Sequence, residues 1–399
     1  MDAPVFVAGI GAISAIGNNV AENLDALLNE KAGIEKMERL RSIHKERLPV
    51  AEVKLSNEEL AARTGLPSQK SRTALLSLVA AKEALENAAI PGFQSLRAGF
   101  VSANSVGGMD KTEDFFIPFL ANNRAGHLRD VVHHECGAVT ELVADQLGIN
   151  HHLTTISTAC SSSANAIFYG ARLIKNNILD VVVAGGADAL TRFTLNGFNT
   201  LMILDEEKCK PFDENRKGLN LGEGAGYLVL VSEKIAATLQ HKPLCRLSGY
   251  CNANDAYHQT ASSPDGTGSF LAMSGALKKS GLQPSDIDYI NLHGTGTQNN
   301  DIAEGTAIKR LFDPYYPMMS STKAYTGHTL GGCGGLEAVY SVLAIREGLV
   351  YPNLRQQTPM PELPFNVELS LKRDLSIKHV LSNSFGFGGN CTSLIFSKD

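Results

Sequence analysis

The chain has 399 residues, 43% hydrophobic and 19% charged, which excludes a disordered or fibrous polypeptide. Forty-one acidic against 36 basic residues give a formal net charge of −5 with no basic run, so nucleic acid is not an expected partner. No stretch approaches the roughly 18–20 apolar residues of a membrane span, the apolar start MDAPVFVAGIGAIS lacks a basic leader, and seven cysteines with no CxxC pair point to a reducing, cytoplasmic setting.

Short Val/Ile-rich runs predict strands at 4–8, 99–102, 154–157, 180–184, 227–231, 246–250, 289–292, 318–320, 379–381 and 393–396. Several are continuously apolar, as strands buried on both faces are. Ala/Leu-rich runs predict helices at 71–88, 135–147, 161–175, 268–280, 301–311 and 334–347. This alternation predicts an α/β layered fold. The strand, turn and small-residue helix around 154–175 recur around 318–344, and the 233–242 region divides the chain into two halves.

In chain order, the first chemistry-bearing residue is Cys160, in Ser157-Thr158-Ala159-Cys160-Ser161-Ser162-Ser163. It opens a helix directly after a strand. Unpaired N–H groups and the positive helix end there are expected to favour its thiolate and lower its pKa. A buried structural cysteine is the competing reading. His293 heads a Gly/Thr loop, His293-Gly294-Thr295-Gly296-Thr297, at a strand end, where α/β sheets bind ligands. Lys323 precedes His328 by five residues (328 − 323 = 5), and Gly331-Gly332-Cys333-Gly334-Gly335 follows. Two histidines and a cysteine can activate a thiol or polarise a thioester carbonyl. The turn Phe385-Gly386-Phe387-Gly388-Gly389 can bring backbone N–H groups close to a ligand. His133, His134, Cys136, His151 and His152 do not have zinc-site spacing, so no metal is expected of them.

Together these motifs resemble the β-ketoacyl-acyl-carrier-protein synthases of type II fatty-acid and polyketide systems, within the thiolase superfamily. The resemblance runs from Val7-Ala8-Gly9-Ile10-Gly11 through Thr158-Ala159-Cys160, Lys210-Pro211-Phe212-Asp213, Gly222-Glu223-Gly224-Ala225-Gly226 and His293-Gly294-Thr295-Gly296-Thr297 to Lys323, His328 and Phe385-Gly386-Phe387-Gly388-Gly389. It implies a thiolase-like fold of two similar halves, 1–240 and 241–399, in a five-layer αβαβα arrangement. It implies a homodimer without cofactor, served by acyl carrier protein. By resemblance, Cys160 carries the acyl chain. His293 and His328 assist decarboxylation of the malonyl thioester, with Lys323 and Glu337 positioning them. The N–H groups of Cys160 and Phe387 form an oxyanion hole, Phe387 also acts as a gate, Thr295 and Thr297 meet pantetheine, and Phe198 lines the acyl pocket. Fatty-acid, polyketide and aryl-polyene pathways all stay open.

Four positions depart from the family pattern. Asn390-Cys391 stands where the family reads Thr-Asn, which bears on a monovalent cation held by some members. Lys217 replaces an acid and Asn220 an apolar residue. The competing functions are a non-catalytic chain-length-factor-like subunit, a thiolase acting on CoA thioesters with a second cysteine as base, and a cysteine hydrolase.

Overall fold

The computed structural model describes residues 3–399, so the first half expected from the sequence begins two residues outside it. In chain order the strands are β1 (Val5–Ser14), β2 (Ile34–Glu35), β3 (Val50–Ala51), β4 (Ala98–Ala103), β5 (His152–Ile156), β6 (Val181–Asp188), β7 (Gly224–Ser232), β8 (Cys245–Asn254), β9 (Tyr289–Asn291), β10 (Met318–Ser320), β11 (His379–Phe385) and β12 (Asn390–Ser397). The helices are α1 (Val20–Leu28), α2 (Asn57–Thr64), α3 (Arg72–Ala88), α4 (Met109–Ala121), α5 (Cys136–Leu147), α6 (Ser162–Lys175), α7 (Arg192–Thr200), α8 (Glu233–Ala236), α9 (Thr267–Ser280), α10 (Gln298–Phe312), α11 (Lys323–Thr326) and α12 (Cys333–Glu347). Each of the ten apolar runs read as strands lies in the large sheet, and the six expected helices are α3, α5, α6, α9, α10 and α12.

β2 and β3 pair with each other, and the other strands form one sheet ordered β10-β9-β11-β12-β8-β1-β7-β6-β4-β5. The two sides of the β8–β1 junction have the same plan. In β1, β4, β5, β6, β7 and again in β8, β9, β10, β11, β12, the strands lie in the order first, fifth, fourth, second, third. The fourth, second and third are mutually parallel, whereas the fifth runs antiparallel to both its neighbours. The echo visible in the sequence is therefore the third strand of each half, β5 and β10, each feeding an inner helix, α6 and α12.

The layers follow from where the apolar side chains point. In β6, Val181 and Val183 pack with α3 and α5 on the outside, while Val182 and Ala184 face α6 and α12 on the inside. Residues alternate across a strand, so a strand covered on both faces must be apolar at every position. On the second half α9 and α10 cover the outer face. α12 is buried at every position from Cys333 to Ile345 and has no polar stripe, as a helix between two sheet layers requires. Gly334 permits that packing, because a Cβ there would lie 2.9 Å from Ala164 N in α6. The result is a thiolase-like α/β fold whose two inner helices start side by side.

Candidate active site

β5 ends at Ile156 and α6 begins at Ser162. The turn between them holds Ala159 at φ 52°, a left-handed conformation costing a non-glycine residue about 1–3 kcal/mol. The Thr158 N–H donates to Ser162 Oγ (2.8 Å), and the Ser162 N–H donates back to Ala159 O (3.1 Å). This lifts Cys160 to the start of the inner helix, where it is buried. The expected lowering of its pKa is not what the structure supports. Burial pushes the thiol up to about 11, outweighing the Lys323 charge and the N–H groups of Phe387 and Cys160 that favour the thiolate. A helix start helps a thiolate, but a dry one costs it more.

His293 follows β9, and His328 follows α11. Their rings stand perpendicular, 88°, with centroids 5.6 Å apart. The Lys323 ammonium lies 3.3 Å from His293 Nδ1, and an ammonium can only donate. The Leu330 N–H, presented by a left-handed residue at φ 50°, donates to His328 Nδ1 (3.2 Å). Both Nδ1 atoms therefore accept, which leaves the proton of each neutral ring on Nε2. Burial, and then the Lys323 charge, hold both histidines well below their ordinary pKa, so both rings are neutral. Lys323 is ion-paired with Glu337, and both are buried. Burial disfavours the Lys323 charge, but Glu337 more than offsets it and the ammonium is held above its ordinary pKa. Burial raises Glu337 to about 7 while Lys323 pulls it down.

The glycine-rich turn after β11 closes the site. Gly386 touches the Cys160 turn: a Cβ there would lie 2.9 Å from Thr158 O and 3.2 Å from Cys160 N. Phe387 follows, stacked on Phe198 at a centroid distance of 5.7 Å. A cavity of about 360 Å³ is lined by Cys160, Phe198, His293, Thr295, Thr297, His328 and Phe387. Lys323 and Glu337 stand behind its wall and reach it through His293. All nine residues singled out from the sequence are thus placed in or directly behind one cavity.

The departures from the family pattern have distinct places. Lys217 lines the cavity, 3.6 Å from Glu207. Asn220 is buried; its amide accepts from Cys209 N–H (2.7 Å) and donates to Glu207 O (2.9 Å), and its own carbonyl accepts the His328 N–H (2.8 Å). Cys391 packs on the α9 face of the sheet against Ala272 and Phe385, whereas Ser384 faces Gly334 of α12. Asn291 Oδ1 and Glu337 Oε2 are buried on that inner side without a hydrogen-bond partner. Buried oxygens of this kind suit a hard cation, and the Cys391 departure lies on the opposite face. The histidines and Cys136 first weighed for zinc form no ligand cluster among the described residues. His293, Cys333 and Glu337 do cluster, but Lys323 already binds both His293 and Glu337.

Several functional supports were missed in the sequence. Glu304, on α10, accepts the N–H groups of His293 (2.9 Å) and Gly294 (2.8 Å) and so sets the first histidine turn; burial raises it to about 7. Its signal was an acid on the apolar stripe Ala303, Ala307 and Ile308. Asp188, at the end of β6 and raised by burial to about 6, accepts the N–H groups of Ser105 (2.9 Å) and Gly331 (2.7 Å) and ties down the loop after His328. Cys333 donates its thiol to Cys160 O (3.0 Å) and does not line the cavity.

Comparison with known proteins agrees with this geometry. The model of the β-ketoacyl synthase N-terminal domain matches residues 2–236, and that of the C-terminal domain matches 244–357. A 3-oxoacyl-[acyl-carrier-protein] synthase 2 of Staphylococcus aureus is 32% identical over 423 residues, covering 99% of this chain and 98% of the relative. Among solved structures, the ishigamide ketosynthase/chain length factor superposes with a TM-score of 0.94 at 26% identity, with 100% of each chain covered. The ketosynthase ApeO in complex with its chain length factor ApeC, from Xenorhabdus doucetiae, gives 0.86 at 30% identity over 100% of this chain and 98% of that one. Matched on both domains and along nearly its whole length, this chain belongs to the β-ketoacyl synthase family.

Proposed function

We propose that this protein is a 3-oxoacyl-[acyl-carrier-protein] synthase, an acyltransferase that condenses a malonyl thioester with an acyl chain carried on Cys160. The observation that carries the reading is the ammonium of Lys323 at His293 Nδ1. A cysteine hydrolase needs a histidine that accepts the thiol proton and becomes an imidazolium, stabilised by an acceptor behind it. A cation behind the ring opposes that charge. It favours a neutral ring that donates from Nε2, which is what polarising a carbonyl requires.

The steps follow from these groups. Cys160 attacks the carbonyl of the acyl thioester on the carrier protein, and the tetrahedral oxyanion is held by the N–H groups of Cys160 and Phe387. The pantetheine thiolate leaves and takes the proton that the Cys160 thiol gave up. The malonyl arm then enters beside Thr295 and Thr297, with its thioester oxygen accepting from His293 and His328 Nε2. Its carboxylate leaves as CO2, and the electron pair becomes the enolate. The enolate carbon attacks the acyl-Cys160 carbonyl, the C–S bond breaks, and the Cys160 thiolate takes a proton from solvent, the one proton the overall condensation consumes. Phe387, stacked on Phe198, gates the arm, and Phe198 with Met202, Ile203 and Leu219 receives the acyl chain. A monovalent cation bound at Asn291 and Glu337 would supply fixed charge beneath the histidines.

Against a chain-length-factor-like subunit stand Cys160 and both histidines in one cavity. Against a thiolase stands the placement of Cys391 and Cys333, neither of which lines it. The test is incubation with acyl- and malonyl-carrier proteins. Release of CO2 in step with 3-oxoacyl product is expected; hydrolysis of the acyl thioester without carbon–carbon bond formation would overturn the assignment.

We also propose that the two halves are structural units meeting at residues 240/241, and that the enzyme is a cytoplasmic homodimer. All seven cysteines are free, as a reducing compartment favours. No helix among the described residues is long and apolar enough to cross a membrane. β5 ends the sheet, and an open edge strand is a hazard unless paired. Nearby, Phe116, Ile117 and Leu120 of α4, with Leu128 and Val132, expose large apolar side chains. Pairing two copies here would bury them and brace the Cys160 turn. Light scattering is expected to show a dimer at assay concentration, and a fully active monomer would refute it.

A further inference from the structure

We propose that Asn390 is a positioning residue for acyl transfer: its side chain and main chain together set the spacing between the N–H groups of Cys160 and Phe387. The inference rests on the function proposed above, which makes those two groups the oxyanion donors.

The two donors come from separate segments, the turn before α6 and the turn after β11. Each turn is internally hydrogen-bonded, but correct spacing between them needs a link. Asn390 supplies one from both ends. Its main-chain oxygen accepts the Gly386 N–H (2.8 Å), closing the turn that carries Phe387. Its side-chain Oδ1 accepts from Ser161 Oγ (2.7 Å) and Asn165 Nδ2 (2.8 Å), both at the start of α6. Asn165 Nδ2 also grips Thr158 Oγ1 (2.9 Å), and Ser161 Oγ reaches Thr158 O (2.8 Å), so both sides of Cys160 are held. A third donor, Asn252 Nδ2 from β8, reaches the same Oδ1 (2.7 Å).

Three donors converge on one carbonyl oxygen that has two lone pairs. Turning the amide over would set its NH2 against the NH2 groups of Asn165 and Asn252, with only the Ser161 hydroxyl able to accept from it, so its orientation is fixed. The surrounding bonds are satisfied as well: Asn252 Nδ2 also meets Thr392 Oγ1 (2.9 Å), and Thr392 Oγ1 donates to Asn165 Oδ1 (2.7 Å). A polar network that joins α6, β8 and β12 in this way is rigid only while its central acceptor is present. The network touches neither histidine. Loss of Oδ1 should therefore loosen the oxyanion donors and spare the pair that handles the malonyl carbonyl.

Asn390→Leu keeps the size and removes the acceptor; Asn390→Asp keeps an acceptor oxygen. Acylation of Cys160 by acyl carrier protein and decarboxylation of malonyl carrier protein are measured separately, with the melting temperature of each variant. For Asn390→Leu, kcat for acylation is expected to fall about tenfold or more, because small misplacements of reacting groups carry costs of this order. KM for the carrier protein is expected to stay within about twofold, and decarboxylation to fall much less than acylation. Asn390→Asp is expected to recover most of the acylation rate. Should Asn390→Leu not fold, Asn390→Ala replaces it with the same expectations. Unchanged acylation, equal loss in both steps, or no recovery in Asn390→Asp would overturn the proposal. An unmutated enzyme that neither acylates nor decarboxylates would overturn the underlying function instead.

Discussion

Replacing Cys160 by alanine is expected to abolish acyl transfer while leaving the fold intact. No other cysteine is placed to take over from Cys160: Cys333 is buried behind the Cys160 carbonyl, to which its thiol donates, and Cys391 lies on the α9 face of the sheet. Removal of a nucleophile that works as a unit with its neighbours costs about 10⁴-fold or more in rate. Stability should change by only about 1 kcal/mol, because the deleted sulfur faces the cavity instead of the packed core. Mass spectrometry after incubation with acyl carrier protein is expected to find no acyl adduct. A labelled adduct on the variant would end the assignment of Cys160. In Cys160→Gln the side-chain amide can place a carbonyl near the same N–H groups, so decarboxylation should survive while condensation is lost.

The second large effect is expected at the histidines. His293→Ala and His328→Ala should each slow malonyl decarboxylation by about 10²–10³-fold, the loss of about 2.7–4 kcal/mol typical of one preorganised donor. Self-acylation of Cys160 should suffer less, since its oxyanion is served by backbone N–H groups. Equal damage to both steps would make these histidines activators of the thiol, as in a hydrolase. The pH dependence carries the same logic. Both histidine pKa values are depressed, so the rings stay neutral as the pH is lowered through the ordinary value of 6.5. Decarboxylation should therefore show no histidine limb there. The limb appears only at lower pH, where protonation fills the ring with positive charge next to Lys323. A limb near 6.5 would mean that an imidazolium can form beside the ammonium, against the geometry described here.

These two expectations use residues that were legible in the sequence, because each sits in a local pattern that its chemistry imposes. Cys160 needs a strand, a tight turn and a helix of small residues. His293 needs a strand end followed by a glycine-bearing loop. Phe387 needs glycines on both sides, and Gly388 and Gly389 do adopt φ +80°. The ten strands were readable for a related reason: covered on both faces, they are apolar at nearly every position. Helix α2 was overlooked although its capping box, Ser56 with Glu59, lay in plain order. Helix α4 was harder to see, since Pro118 interrupts it and none of its residues is buried.

What the sequence by itself determined was the inventory: an α/β chain with a cysteine and two histidines at element ends, arranged in a doubled plan. Only the tertiary structure decided how those groups behave. Their ionisation depends on burial and on charges far away in the chain. Thus Cys160 is raised to about 11 despite its helix start, and His293 takes its tautomer from Lys323. The same holds for the supports. The side chains of Glu304, Asp188 and Asn390 act through hydrogen bonds to residues 10 to 229 positions distant. Such bonds impose no periodicity, so no local pattern announces them. Those that join Asp188 to Gly331 and Asn390 to the start of α6 exist only once the two halves have folded against each other.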